Sequence, residues 1–317
     1  MILKDSEKLT IYYFIAASNS LSIIGSLFIC MMYYRYLILR TFLFKLVLIL
    51  TIFDIFSSIG FLLPTYNLKS SESLCLTQAL TINFFTSASV YWTGFIAISL
   101  YFIIVKSRLY IENYTKHAVI CVLSLCFILS AIPLFTKSYG KNLSWCWINQ
   151  TSNIDSGFFE RYFMFFIPLW VLVIINTLLF IKVSKRLKIS KDSDGSRSLL
   201  NKKLKFYPLV LIICFLPLTL DSCLRYGNFG FVEKNEFVIS IVVGFIRGFY
   251  GFANALVYGF TKKVRNTLDR SLRDFNSSEM SERVLRGESA ESQEQYATKN
   301  SALTGMDILV DDYLLLG

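Results

Sequence analysis

Seven apolar stretches, each near or above the roughly 20 residues that a helix needs to cross a ~30 Å hydrocarbon layer, leave this chain few places to be except a membrane. They run over about Leu9–Tyr34, Phe42–Tyr66, Leu74–Val105, His117–Phe135, Phe158–Ile181, Phe206–Arg225 and Phe237–Phe260. All five prolines (Pro64, Pro133, Pro168, Pro208 and Pro217) fall inside these stretches. Proline breaks the ladder of a soluble helix. In a lipid-embedded bundle, neighbouring helices, hydroxyls and trapped water re-satisfy the freed carbonyls. The expected fold is therefore an all-α membrane protein, a seven-transmembrane helix bundle. Apolar residues at 54% and aromatics at 16% are more than a soluble surface hides in 317 residues.

A formal charge of +10 raises the question of nucleic acid, and the location of the charge answers it. Lys182, Lys185, Arg186, Lys188, Lys191, Arg197, Lys202, Lys203 and Lys205 lie between the fifth and sixth stretches. Arg35, Arg40 and Lys45 follow the first, Lys106, Arg108 and Lys116 the third, and Lys262, Lys263, Arg265, Arg270 and Arg273 the seventh. On the other side Lys4 and Lys8 are offset by Asp5 and Glu7, and Lys69 by Glu72. Basic residues that flank apolar spans on alternate sides mark cytosolic loops, not one face of a nucleic-acid-binding domain. The expected location is the plasma membrane, with the amino terminus outside, the tail inside, a lipid bilayer as partner and no nucleic acid.

The chain divides into a short outer terminus at 1–8, the bundle at 9–260, an amphipathic cytosolic helix at 261–275 and a polar tail at 276–317. No cleavable signal peptide is expected, because the first apolar stretch is too long and lacks a basic lead. A terminus this short holds no ligand domain, so any ligand meets helices and outer loops. Beyond the seventh stretch Val264, Leu268, Leu272 and Phe275 share one face opposite Lys263, Arg265, Arg270 and Arg273, which suits the inner membrane surface. The serine-rich tail reads as disordered.

Seven cysteines cannot all pair. This topology puts Cys75 at the outer end of the third helix and Cys146 in the second outer loop, the expected disulfide, with Cys223 as the rival partner. Cys30, Cys121, Cys126 and Cys214 fall within spans, where a thiol is usually a small packing residue. The same outer loop carries glycosylation sequons at Asn142 and Asn149. Asn113 starts a third on the inner side, which is the chance occurrence expected of so short a pattern.

The last span holds the sharpest polar pattern. Arg247, Gly251, Asn254 and Tyr258 share a narrow arc at 100° per residue, flanked by a stripe of Gly244, Gly248 and Ala255. Such an arc faces the bundle, since a charge toward lipid costs at least several kcal/mol. Arg247 is either a cation for an anionic ligand or, the preferred reading, the partner of an internal carboxylate, Asp54 or Asp221. Asp54 is expected in a polar network with Asn254 and Tyr258. Gln78, Ser89 and Thr93 in the third helix, with Trp92 beside them, line a pocket or serve as hydrogen-bonding glue.

Several motifs together resemble the cyclic-AMP-receptor-like class of G-protein-coupled receptors known from slime moulds. They are Trp145-Cys146-Trp147-Ile148, Arg40-Thr41-Phe42 with Lys45-Leu46-Val47, Tyr207-Pro208-Leu209, Ser20 to Ser26, and Gly251 to Gly259 with its Asn-Ala-Leu-Val-Tyr core. The likeness covers about residues 10–265. The Cys-Trp pair also gives a weaker similarity to secretin-like receptors. The rhodopsin-like class fits less well, since Lys106-Ser107-Arg108 replaces Asp-Arg-Tyr and Asn-Pro-x-x-Tyr is absent. The resemblance implies a receptor that passes an extracellular ligand signal to a heterotrimeric G protein. Small anionic and cyclic-nucleotide-like molecules are the first ligand candidates, with a peptide as the alternative.

Trp145, Trp147, Asp221, Arg225 and Arg247 join Gln78, Ser89 and Thr93 as pocket candidates, and Lys106, Arg108, Lys202, Lys203 and Lys205 as the G-protein-facing set. Family members usually carry Trp after the sixth-helix cysteine and an Asn-Arg pair near its outer end. This chain has Phe215 and Asp221-Ser222, so Arg225 or Arg247 would supply the cation. No enzyme, cofactor or metal site is expected: one histidine, His117, stands at a span edge and no His-Glu-x-x-His occurs. A seven-helix transporter or channel is the rival class, without a visible repeat or filter sequence.

Overall fold

The computed structural model describes residues 4–65, 71–142, 145–149, 156–189, 206–227, 229–259 and 262–285. Lys202, Lys203 and Lys205 lie outside them, as does the side chain of Tyr258. Among the described residues, seven helices are long and apolar enough to cross a membrane. The first four are α1 (Asp5–Arg35), α2 (Phe42–Leu62), α3 (Glu72–Ile104) and α4 (Thr115–Phe135). A hairpin of β1 (Tyr139–Asn142) and β2 (Trp145–Ile148) follows. Next come α5, a composite of Ser156–Phe159, Glu160–Phe166 and Ile167–Ile189, and α6 (Phe206–Tyr226). The last span, α7, is built from Glu236–Gly248, Tyr250–Asn254 and Ala255–Gly259.

The bundle is apolar outside and polar within. Ile120, Phe127, Ile128 and Phe135 of α4 are exposed, whereas Ser18, Ser22, Thr51 and Ser89 are wholly buried and hydrogen-bonded. Lipid as the outer solvent explains both halves: hydrocarbon accepts apolar side chains, and hydroxyls find partners only inside. α3 is the central post, with 61% of its most apolar window buried against 17% for α4. It packs on α2, α4, α5 and the hairpin. Its start is fixed by Ser71, whose hydroxyl accepts the Leu74 N–H at 3.3 Å, with Glu72 in the first turn.

Two helix ends and one helix interior depart from regular expectation for local reasons. α2 stops at Leu62 and not Tyr66, leaving Pro64 outside it, because the residue before a proline is pushed into extended backbone; Leu63 has φ −64° and ψ 128°. In α5, Pro168 offers no N–H to the Met164 carbonyl. The preceding stretch widens to a π-helix, in which the Ile167 N–H reaches back to Tyr162. That wide turn carries Glu160, Arg161, Phe165 and Phe166 inward. After the bundle, the helix α8 (Lys262–Leu285) runs ten residues past the expected end at Phe275, into a segment read as disordered. Glu279, Met280, Glu282 and Arg283 are good helix formers and sustain it. The compact unit Met1–Val264 holds the bundle, and Arg265 onward forms a second unit described only by its helix.

The small residues of α7 serve a close approach to α1. A Cβ on Gly244 would lie 2.7 Å from Ile15, and one on Gly248 would collide with Ser18 and Asn19. At this crossing Ser22 enters the α7 ladder. Its hydroxyl donates to the Gly248 carbonyl at 2.6 Å and accepts the Phe252 N–H at 3.0 Å, the two groups that would otherwise bond each other. A side chain inserted into the i to i−4 ladder bends a helix, and α7 is interrupted at Phe249. Replacing Ser22 by Val removes both bonds at similar volume. The expected loss is ~1–3 kcal/mol, read as a lower melting temperature of purified protein, with Ser22→Thr close to the parent. A Ser22→Val protein as stable as the parent would contradict the wedge.

Candidate functional site

The disulfide joins Cys75 to Cys146 with Cα atoms 5.3 Å apart, and Cys223, the rival, is free and exposed. It is one of several ties that hold the hairpin against the end of the bundle. Gln78 spends its whole amide there. Its Oε1 accepts the Cys146 N–H at 2.6 Å and the Thr65 hydroxyl, and its Nε2 donates to the Gly60 and Leu63 carbonyls. Asn83 accepts the Trp147 indole N–H at 3.1 Å and donates to Tyr139 and Ser130. Tyr139 donates in turn to the Ser130 carbonyl, and burial pushes its phenol pKa up, so it stays a donor. Arg161 closes the other side: its guanidinium stacks on the Trp147 ring at 4.7 Å and donates to the Ile148 carbonyl. Cys146, Trp147 and Ile148 are consequently all buried, although successive strand residues point to opposite faces.

Beneath the hairpin lies a narrow cavity with free space for about one water molecule, so a larger ligand has to part its walls. Trp145 and Trp147 form its roof, Phe61, Ile82, Phe165, Leu218 and Val243 its walls, and Thr86, Gly244 and Arg247 complete the lining. Gly244 keeps the wall of α7 flat beside Trp145, which would sit 3.7 Å from an added Cβ.

Arg247 is the cation of this cavity. Its Nη2 donates to Thr86 Oγ1 at 2.5 Å, and its guanidinium lies over Phe215 at 4.7 Å, Phe61 at 5.4 Å and Tyr250 at 5.5 Å. The expected internal carboxylate is not in contact: among the described residues no Asp or Glu comes within 4.0 Å, and Asp54 acts on Arg247 only through space. Asp54 is taken, accepting from Ser89 at 2.6 Å and Asn254 at 2.9 Å. Asp221 is taken too, paired with Arg225 at 2.9 Å, which also reaches Glu236 at 3.1 Å. None of the Arg247 nitrogens is both buried and unpartnered, so those without a bond open onto the cavity.

Of the residues singled out in the sequence, Trp145, Trp147 and Arg247 meet in the cavity. Gln78 anchors the hairpin, Ser89 and Thr93 belong to the layer around Asp54, and Asp221 and Arg225 form an ion-paired cluster of their own; none of these five lines the cavity. The Asp54–Asn254 bond is present, and Tyr258 lies outside the described side chains. Lys106 and Arg108 are exposed past the other end of α3. Asn149 is exposed, while Asn142 donates its amide to the Ile148 carbonyl at 3.0 Å. Sequence reasoning missed Thr86, Ser22 and Arg161, and named Phe215 only as a departure from the family's tryptophan. Only Arg161 left a signal, an arginine beside Glu160 at the head of an apolar span. Arg161→Met should cost ~2–3 kcal/mol and speed proteolysis of the hairpin, whereas unchanged proteolysis would remove Arg161 from the clamp.

Comparison with known proteins agrees with this architecture. The family model described as slime mold cyclic AMP receptor matches residues 2–271. Cyclic AMP receptor-like protein A of Dictyostelium discoideum is 30% identical over 252 residues, 77% of this chain and 63% of that protein. G-protein coupled receptor 1 of Arabidopsis thaliana is 26% identical over 271 residues, 81% of this chain and 80% of that protein. Latrophilin receptor-like protein A of Dictyostelium discoideum is 26% identical over 169 residues, covering 53% and 52%. The chain thus spans under two thirds of the first of these relatives and most of the second.

Proposed function

This chain belongs to the slime mold cyclic AMP receptor family, and on that premise we propose that it passes the binding of an extracellular small anion to a heterotrimeric G protein. The observation that carries the proposal is Arg247, a buried cation with no carboxylate in contact and nitrogens open to a capped cavity. A structural arginine in a membrane bundle pairs with an internal acid or with a backbone carbonyl, as Arg161 does at Ile148. One left without an acid keeps its strongest attraction for a visiting anion. Basic loops on one side and sequons on the other support an orientation with the hairpin outside and the tail in the cytosol.

The route inward follows contacts that touch in series. Arg247 lies over the Tyr250 ring, Tyr250 is within 3.5 Å of Ser89, and Ser89 donates to Asp54, which holds Asn254. Arg247 and Asn254 stand on either side of the Ser22 wedge. A ligand that draws the guanidinium toward the roof loosens this chain and favours a different bend in α7 and a different packing of Phe215 on α6. By differential affinity it shifts the population of the two arrangements. Pro217 weakens the α6 ladder and makes that helix the mover. Lys106 and Arg108 offer the G protein a basic rim, which Lys202, Lys203 and Lys205 extend in sequence.

A G-protein dissociation sensor in cells, screened with cyclic nucleotides and small organic anions, tests this reading. At least one anion should raise the signal, and Arg247→Ala should cut its potency about tenfold or more at equal surface expression. Equal responses from both proteins would remove Arg247 from the ligand site. Ion or solute flux through purified protein in liposomes, with no nucleotide exchange, would favour a transporter or channel.

A further inference from the structure

We infer that the cavity selects a monoanion with an apolar or aromatic body, such as an aryl-alkanoic acid, over a nucleotide. The inference deepens the reading of Arg247 as a ligand contact and rests on it. One cation matches one negative charge. The rest of the selection lies in what the walls lack. Seven of the ten lining residues are aliphatic or aromatic, Gly244 adds no side chain, and the polar ends that remain are mostly committed. The Trp147 indole donates to Asn83, and Thr86 Oγ1 is shared between Arg247 and Ser57. Trp145 adds one indole N–H, a donor only.

A cyclic nucleotide also carries a single charge, so charge does not separate the two ligand types; hydrogen bonding does. A nucleobase amine and a ribose hydroxyl must give up water as they enter. Among these walls they meet rings and methyl groups where they need acceptors, and an unsatisfied buried polar group is costly. An aryl or alkyl body loses nothing of the kind and gains contact with Trp145, Trp147, Phe61 and Phe165. The carboxylate then receives the open N–H groups of Arg247 in a fork that suits it.

The test reads binding without a G protein, so its failure is separate from a failure of signalling. Purified protein in lipid nanodiscs is titrated with 4-phenylbutyrate, naphthalene-1-acetate and indole-3-acetate, with the neutral amide of each, and with cyclic AMP. Tryptophan fluorescence and melting temperature report occupancy. At least one acid should bind about 10- to 100-fold more tightly than its amide and more tightly than cyclic AMP, and Arg247→Gln should erase the acid's advantage. Comparing acid with amide on the parent protein decides the matter even if that variant does not fold. Cyclic AMP binding as tightly as the best acid, an amide matching its acid, or no binding by any acid would overturn the inference. Binding of an acid with no nucleotide exchange would leave it standing and count against the signalling role alone.

Discussion

A charge buried among hydrocarbon has to be held by something, and at Arg247 the holders are three aromatic faces and one hydroxyl. Rings attract a guanidinium by about 2 kcal/mol or more when water is excluded, but they accept none of the paired N–H bonds that a carboxylate takes. The arrangement keeps the cation in place without satisfying it. The neighbouring acids are each spoken for, Asp54 by Ser89 and Asn254 and Asp221 by Arg225. The guanidinium thus faces the cavity without a contacting acid, which is why the proposed ligand is placed under the clamped hairpin.

The rest of the bundle works around that site. Rigidity is concentrated at the hairpin end, where a disulfide, Gln78, Asn83 and Arg161 fix the roof from different helices. The weak points of the backbone lie beside and below it: the π stretch of α5, the proline in α6 and the Ser22 insertion in α7. A fixed roof over adjustable walls is the arrangement in which a small ligand changes helix packing and not loop shape. The Phe215 and Tyr250 rings, 5.1 Å apart, join α6 to α7, and in the proposed mechanism the change passes between them.

Much of the fold was legible because lipid imposes a simple code. Length and hydropathy located seven spans, and the Gly244–Gly248 stripe announced a close helix approach, which turned out to be to α1. The Cys75–Cys146 pair followed from topology. Side-chain roles within the bundle were less readable, because helical periodicity says which face is inward but not which neighbour it meets. Gln78 and Arg247 both face inward, yet one is saturated by backbone groups and the other is open. The uniform 100° step assigned to the last span also failed at Phe249, where Ser22, some 230 residues away in sequence, replaces a backbone bond. No local pattern in the last span encodes that. The wide turn in α5 followed from Pro168, but its consequence, Arg161 turned in against Trp147, depends on the hairpin being there.

The central claim is that the bundle holds a cation with no carboxylate in contact, and supplying one in place tests it most directly. Thr86→Asp puts a carboxylate where Thr86 Oγ1 now sits, 2.5 Å from Arg247, and keeps an acceptor for Ser57. If Arg247 is uncompensated, the ligand-free variant melts at a higher temperature than the parent and no longer distinguishes an acid from its amide. A lower melting temperature with acid recognition intact would mean that the guanidinium is already neutralised in the parent.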